Sequence, residues 1–477
     1  MQDADPRQQG PRGDRGRPPR GGPDSDPISG LDACTHCGLC NAVCPTYLET
    51  RDERESPRGR IALMQLLSEP GIRDPDVFET AMAHLESCVM CGACEPACPE
   101  AVPFAREMRR TRAEIVESGA VPRARAKVYQ FFASRIATPE KLGRLFRMLR
   151  AMPKVSRRLL GDGLELLAEG VAAAGARDGS GSEFGVAGTA LTSGVPRGRV
   201  LLVGGCLERI QRPAIVDAAI RLLARRGYDV EVPSDAGCCG AIADELGTRS
   251  VDRSFAIANR TGWGKVLQRQ PRSAETPRPP VSAVLTLSVK CRDHVKGGVR
   301  DREPDAHNDD DPLDTLLGQA KTVVEFLTTV DIGAPERWST LRVGYLGGCS
   351  PCAGAASGAA DPMIVLLRDA GFTVVPLAEA GVCCGGRGAF PYMQSRMAEE
   401  LRGRKLRQLA RTDIDVVAVD DVGCTTVLGG DQLLPAVHTV ELLDWAYGGP
   451  VPSGLGRYRN FAVDVPVPEE TPEAAVS

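Results

Sequence analysis

The stretch CTHCGLCNAVCP (Cys34–Pro45) places four cysteines in eleven positions, and CVMCGACEPACP (Cys88–Pro99) repeats the same spacing. Each reads C-x2-C-x2-C-x3-C-P. Thiols this close together are poor partners for a disulfide framework, and the odd total of 17 cysteines argues against a complete one. The N-terminal stretch MQDADPRQQGPRGDRGRPPRGGPDSDP has no apolar core, so it does not read as a secretory signal. A cytoplasmic location follows as the expectation. Thiols stay reduced there, and clustered ones point to metal.

The spacing is the bacterial ferredoxin ligand run for 4Fe–4S clusters. Three cysteines two residues apart wrap a loop around one cube. The fourth sits on the following helical turn and faces away. In two-cluster ferredoxins that fourth thiolate ligates the other cluster. The assignment is then Cys34, Cys37, Cys40 and Cys98 for the first cluster, and Cys88, Cys91, Cys94 and Cys44 for the second. Gly38 and Gly92 suit loops with close backbone approach. Zinc knuckles are the competing reading, but they pair C-x2-C units across a longer loop. Downstream, SPRGRIALMQLLSEP reads as a helix with Ser56 as N-cap and Pro57 in the first turn. Its Arg58 and Arg60 are candidates for tuning a cluster or meeting a partner.

The other nine cysteines follow a second pattern, carried by an internal repeat. The first copy runs from RVLLVGGC (to Cys206) through a helix, the strand YDVEV and GCCG (Cys238, Cys239), to VSAVLTLSVKC (to Cys291). The second runs from RVGYLGGC (to Cys349) through MIVLLRDAG, FTVVPL and VCCGG (Cys383, Cys384), to DIDVVAVDDVGC (to Cys424). Cys291 and Cys424 read as strand ends. Apolar strands alternating with helices predict a buried, mainly parallel sheet in each copy. Each copy then gathers four thiols where sheet loops meet, a donor set suited to iron–sulfur or zinc. Cys352, in CSPC, is an extra or replacement ligand candidate for Cys349. His294 and His438 read as structural residues rather than ligands.

The fold class is α+β and multidomain. Residues 1–28 and 448–477 are expected as disordered tails, and 29–115 as a helical ferredoxin-type domain with two 4Fe–4S clusters. A helical segment and flexible linker fill 116–195. The repeated α/β units occupy 196–335 and 336–447. Lys plus Arg total 58 against 62 Asp plus Glu, which gives no reason to expect nucleic-acid binding. No apolar run approaches the roughly 18 residues of a membrane helix. No phosphate-binding loop, dinucleotide fingerprint or Ser/His/Asp constellation stands out.

Two ferredoxin runs, a helical linker and two CCG units together resemble the iron–sulfur subunit of glycolate oxidase (glycolate dehydrogenase). The residues that carry this are CTHCGLCNAVCPTY, SPRGRIAL, CVMCGACEPACP, GCL at Gly205–Leu207, AGCCGA, VCCGG and VGC at Val422–Cys424. The wider CCG family includes heterodisulfide reductase subunits and the anaerobic glycerol-3-phosphate dehydrogenase C subunit. The resemblance implies an electron-transfer subunit with no substrate chemistry of its own. FAD-bearing partners would oxidise glycolate to glyoxylate, and electrons would pass to a quinone or other membrane acceptor, with peripheral attachment to the inner membrane face. It also implies further iron–sulfur clusters on Cys206, Cys238, Cys239 and Cys291, and on Cys349, Cys383, Cys384 and Cys424. Two other readings are a heterodisulfide-type reductase acting at a CCG cluster and a zinc-stabilised interaction protein. Several family positions differ here. Lys290 precedes Cys291 where glycine is common. Val427 stands where a histidine often follows the last cysteine. No second CxxC cysteine follows Cys291 or Cys424.

Overall fold

Proline sets φ for the first helical turn and needs no hydrogen-bond acceptor there, so X-Pro steps start helices throughout this chain. Pro45–Thr50, Pro57–Ser68, Pro75–Glu86, Pro213–Arg225, Pro312–Gly318 and Pro362–Asp369 all begin this way. Asp74, Asp311 and Asp361 cap three of them through their carboxylates. The computed structural model describes residues 30–68, 74–136, 188–190, 192, 195–233, 237–269, 279–300, 311–347, 361–429, 434–456 and 462–463. The N-terminal tail, most of the linker, most of the two polar insertions in the first repeat, Cys349 and Cys352 lie outside these residues.

The N-terminal domain is helical. Helices Pro57–Ser68, Pro75–Glu86 and Phe104–Glu117 bury Ile61, Met64, Met82, Leu85 and Met108 in one apolar cluster, which Cys34, Cys40, Cys88, Cys94 and Cys98 border. Helix Arg123–Ile136 follows and sends Phe132 and Ala133 into the core of the next domain.

The two repeats form two sheets of matching topology. In the first, β1 (Gly188–Ala190), β2 (Gly198–Val203), β3 (Tyr228–Val232), β4 (Val281–Thr286) and β5 (Lys321–Thr322) lie in the order β1-β3-β2-β4-β5. All pairs are parallel except the antiparallel edge strand β1. In the second, β7 (Arg342–Leu346), β8 (Thr373–Val375), β9 (Val416–Val419) and β10 (Ala436–His438) are all parallel, in the order β10-β9-β7-β8. Read from the other edge, β8-β7-β9-β10 reproduces β3-β2-β4-β5. The repeat seen in the sequence is therefore a repeat of fold. Every residue of β2 and β9 is buried, as strands covered on both faces require.

The two units share one apolar cluster, in which Leu222 and Leu223 of the first join Leu442, Leu443 and Trp445 of the second. Helix Pro213–Arg225 lies along helix Thr439–Ala446. Asp444, 1% exposed, takes hydrogen bonds at 2.7–2.9 Å from Arg221 and Arg225 across this seam.

Two expectations need correcting. Cys291 and Cys424 do not end strands. The strands stop at Thr286 and Val419, and the cysteines lie in the first turns of helices Val289–Arg300 and Val422–Gly429. The side chains of Ser288 and Asp421 accept hydrogen bonds from the amides of Lys290 and Gly423, which starts these helices before the cysteine is reached. The C-terminal stretch is not wholly a disordered tail either. Leu455 is buried against the second unit, and β11 (Ala462–Val463) pairs with β6 (Trp338–Ser339).

Candidate metal centres

Both cysteine runs fold as the same loop. His36 and Met90, each two residues after the first cysteine, have φ of 54° and 57°; Gly38 and Gly92, each following the second, have φ of 82° and 76°. Two left-handed residues in each run turn the backbone around a common centre. A side chain at Gly38 would also fall 2.6 Å from Nη1 of Arg58.

Cys44, Cys88, Cys91 and Cys94 line a single small cavity, together with Thr46, Arg60 and Phe104. The last cysteine of the first run thus lines this cavity with the first three of the second. Burial, then the nearby sulfurs of Cys91, Cys88 and Cys44, push the Cys94 thiol well above its usual range. A cationic group bound there would relieve that repulsion. Burial likewise pushes the Cys40 thiol to about 11, with Cys34 and Cys44 adding to the rise and the Arg58 amide opposing it. Cys37 is exposed, whereas Cys44, Cys91 and Cys94 are buried. The loop at Cys37 therefore faces solvent, and Cys44, Cys91 and Cys94 face the interior.

In the first repeat the four predicted cysteines meet. Sγ of Cys206 and Cys238 are 3.3 Å apart, and Sγ of Cys239 and Cys291 are 3.1 Å apart. None of the fifteen described cysteines forms a disulfide. Hydrogen bonding to Cys206 raises Cys238, and hydrogen bonding to Cys239 raises Cys291, with burial adding to both. In the second repeat, Sγ of Cys384 and Cys424 lie 3.4 Å apart and Cys383 is buried beside them. Gly386 and Gly423 bring the two loops together: a Cβ on Gly423 would fall 1.9 Å from the Gly386 carbonyl oxygen. A thiol-only donor set of this kind fits an iron–sulfur group or zinc.

The two repeat sites share a wall. Asp421, three residues before Cys424, accepts a 2.6 Å hydrogen bond from Ser288, three before Cys291. Gln211 donates to the Tyr392 hydroxyl at 3.1 Å and accepts from Thr426 at 2.8 Å. Glu208, two residues after Cys206, is 2% exposed; burial and then the Asp421 charge push its carboxyl to about 7. Sequence reading misses Glu208 and Asp421. Neither sits in a motif, and only the packing of two distant segments brings them to the thiols. Cys91 also shares one apolar cluster with Cys383, through Val89, Phe390 and Leu401. This packs the second ferredoxin run directly against the second repeat.

His438 and His294 each have partners within the protein. His438 caps helix Thr439–Ala446 through Nδ1 and donates from Nε2 to the Leu287 carbonyl at 3.1 Å. Burial pushes this imidazole down to about 4, so it stays neutral. His294 is bracketed by Asp252 at 3.0 Å and Asp244 at 3.7 Å, and Asp244 also binds Arg109 of the ferredoxin domain at 2.9 Å. Burial pulls the imidazole down, but the hydrogen bonds to Asp244 and Asp252 outweigh it and raise it to about 9. A raised value means stability that is full below the unfolded value near 6.5 and is lost as pH rises through 9. Chemical denaturation should therefore show stability falling by on the order of 1 kcal/mol between about pH 6.5 and 9. His294→Gln should flatten that slope; an unchanged slope would contradict the assignment.

The model of a 4Fe-4S dicluster domain matches residues 30–102, and that of a cysteine-rich domain matches residues 200–262 and 343–429. The chain joins a ferredoxin-type domain to two cysteine-rich CCG units. It is 27% identical over 431 residues to the glycolate oxidase iron-sulfur subunit of Escherichia coli (strain K12), covering 87% of this chain and 94% of that protein. A probable glycolate oxidase iron-sulfur subunit of Bacillus subtilis (strain 168) is 24% identical, with the same two coverages. Lactate utilization protein A of Bacillus licheniformis is 24% identical over 253 residues, which is 52% of this chain and 99% of that protein. The chain resembles glycolate oxidase iron–sulfur subunits along most of its length. No helix among the described residues is long and apolar enough to cross a membrane.

Proposed function

We propose that this chain is the iron–sulfur electron-transfer subunit of a flavin-dependent 2-hydroxyacid dehydrogenase complex of the glycolate oxidase type. The observation that supports this most is the cavity lined by Cys44, Cys88, Cys91 and Cys94, with Cys37 of the first run exposed and Cys91 packed in one apolar cluster with the buried Cys383. Cys34, Cys37, Cys40 and Cys98 would hold one 4Fe–4S cluster, and the cavity thiols the other. Cys206, Cys238, Cys239 and Cys291 would hold a further iron–sulfur group, as would Cys383, Cys384 and Cys424 with Cys349 or Cys352. Such groups supply reversible one-electron storage when bound.

The chain's own residues provide the path and its insulation. Cys37 lies at the surface, where an FAD-bearing partner would deliver electrons. Met64, Leu85 and Met108 exclude water behind the thiol groups. Val89, Phe390 and Leu401 join Cys91 to Cys383 through a dry contact. Glycolate oxidation to glyoxylate releases two electrons and two protons. In this reading the flavin partner takes both electrons and this chain passes them singly toward a quinone-type acceptor at the cytoplasmic membrane face.

The test is anaerobic purification of the tagged chain from its native host. Co-purification of a flavoprotein, together with bleaching of the brown chromophore by glycolate only when flavin is present, is the expected result. Glycolate oxidation by the chain alone would overturn the reading.

A further inference from the structure

The SPRGR segment at the start of helix Pro57–Ser68 holds two arginines two residues apart, and the fold sends them to different thiol groups. Arg58 is about one-third exposed. It donates to the His36 carbonyl at 2.9 Å, inside the first cysteine run, and is forked onto Glu53 at 2.7 and 3.0 Å. Arg60 is 1% exposed and lines the cavity of Cys44, Cys88, Cys91 and Cys94. Its Nη1 lies 4.0 Å from Sγ of Cys44 and donates to Thr46 Oγ1 at 3.0 Å. Nε donates to the His84 carbonyl at 2.8 Å, and Nη2 to Ser87 Oγ at 2.9 Å. Its counter-ion is Glu55, which Ser87 also binds and which faces His84 Nδ1 at 2.5 Å.

We propose that Arg58 and Arg60 give each of the two thiol groups its own cation. The buried one, Arg60, acts as a positioning residue that sets the Cys44/Cys88/Cys91/Cys94 centre at the higher reduction potential. The inference rests on the reading that these thiols hold clusters. A guanidinium stays charged at any accessible pH. Reduction adds negative charge, and a cation held out of water stabilises that charge far more than one screened by solvent and paired at the surface. Glu55 offsets part of the effect, but Arg60 is the member of the pair that reaches Cys44. Electrons entering at the exposed Cys37 loop would then run downhill to the buried centre, next to Cys383.

The test is potentiometric EPR titration of the full chain, reconstituted anaerobically, with iron and sulfide measured on each sample. Arg60→Gln should weaken reduction of one centre by roughly tenfold, which is about 59 mV for one electron, at unchanged iron content. Arg58→Gln should move the other centre less, and more at low salt than at high salt. Glu55→Gln leaves the Arg60 charge uncompensated and should shift the same centre as Arg60→Gln in the opposite direction. Unmoved potentials in iron-replete Arg60→Gln, or a downward shift in Glu55→Gln, would overturn the inference. Should Arg60→Gln fail to load iron, Arg60→Lys and Glu55→Gln decide it: a wild-type-like potential in the first with a rise in the second supports the inference, and two unmoved potentials overturn it. A wild-type chain without iron and sulfide defeats the cluster reading instead.

Discussion

Cys44→Ala is expected to remove the centre built on the second cysteine run and to leave the one on its own run. Cys44 closes a cavity with Cys88, Cys91 and Cys94. The variant should therefore behave like Cys91→Ala and unlike Cys34→Ala. After anaerobic reconstitution, bound iron should fall by about four atoms per chain, with a matching loss of sulfide. The surviving EPR signal should be that of the Cys91→Ala chain. If it instead matches the signal of Cys34→Ala, the two runs bind independently and the crossed grouping is wrong.

Asp444→Ala is expected to cost about 1.5–3 kcal/mol, because it removes a buried carboxylate that binds two cations at the seam between the repeats. Asp444 is 1% exposed and binds both Arg221 and Arg225, whose side chains are 15% and 33% exposed. Urea unfolding of the intact chain measures the effect. Arg225→Ala should cost less, since Arg225 is the more exposed partner and Arg221 would remain on the carboxylate. A loss below about 1 kcal/mol for Asp444→Ala would show that the seam is held by its apolar contacts alone.

The cysteine runs are legible in the sequence because their ligands are local: a loop that wraps a cube needs fixed spacing, and spacing is what a sequence displays. The parallel sheets are legible for a similar reason. RVLLVG and VVAV are short apolar runs, bounded by glycine in the first case and by aspartates in the second. The strand-to-helix change before Cys291 and Cys424 escapes a sequence reading because no proline or glycine separates strand from helix at the join. The only signals are Ser288 and Asp421, short polar residues two positions ahead of the amides they cap. Helices Pro75–Glu86, Arg249–Gln268 and Ser395–Leu409 are not singled out by the sequence patterns. The last of these, rich in Arg and Glu, buries only a narrow face with Ala398, Leu401 and Leu409. The neighbours of the thiols are not readable at all. Glu208 meets Asp421, and Cys91 meets Cys383, only after hundreds of residues have folded between them. The two arginines of SPRGR stand out together, but their separation into an exposed and a buried cation depends on Glu55, His84 and Ser87, which no local pattern ties to them.

The central claim is that the N-terminal eight cysteines cage two iron–sulfur cubes. Elemental and sulfide analysis of the anaerobically reconstituted full chain, with EPR of the dithionite-reduced protein, tests it most directly. The account predicts at least about eight iron and eight sulfide per chain, no zinc, and a signal broadened by two neighbouring paramagnets. A colourless protein that holds zinc and no sulfide would contradict it.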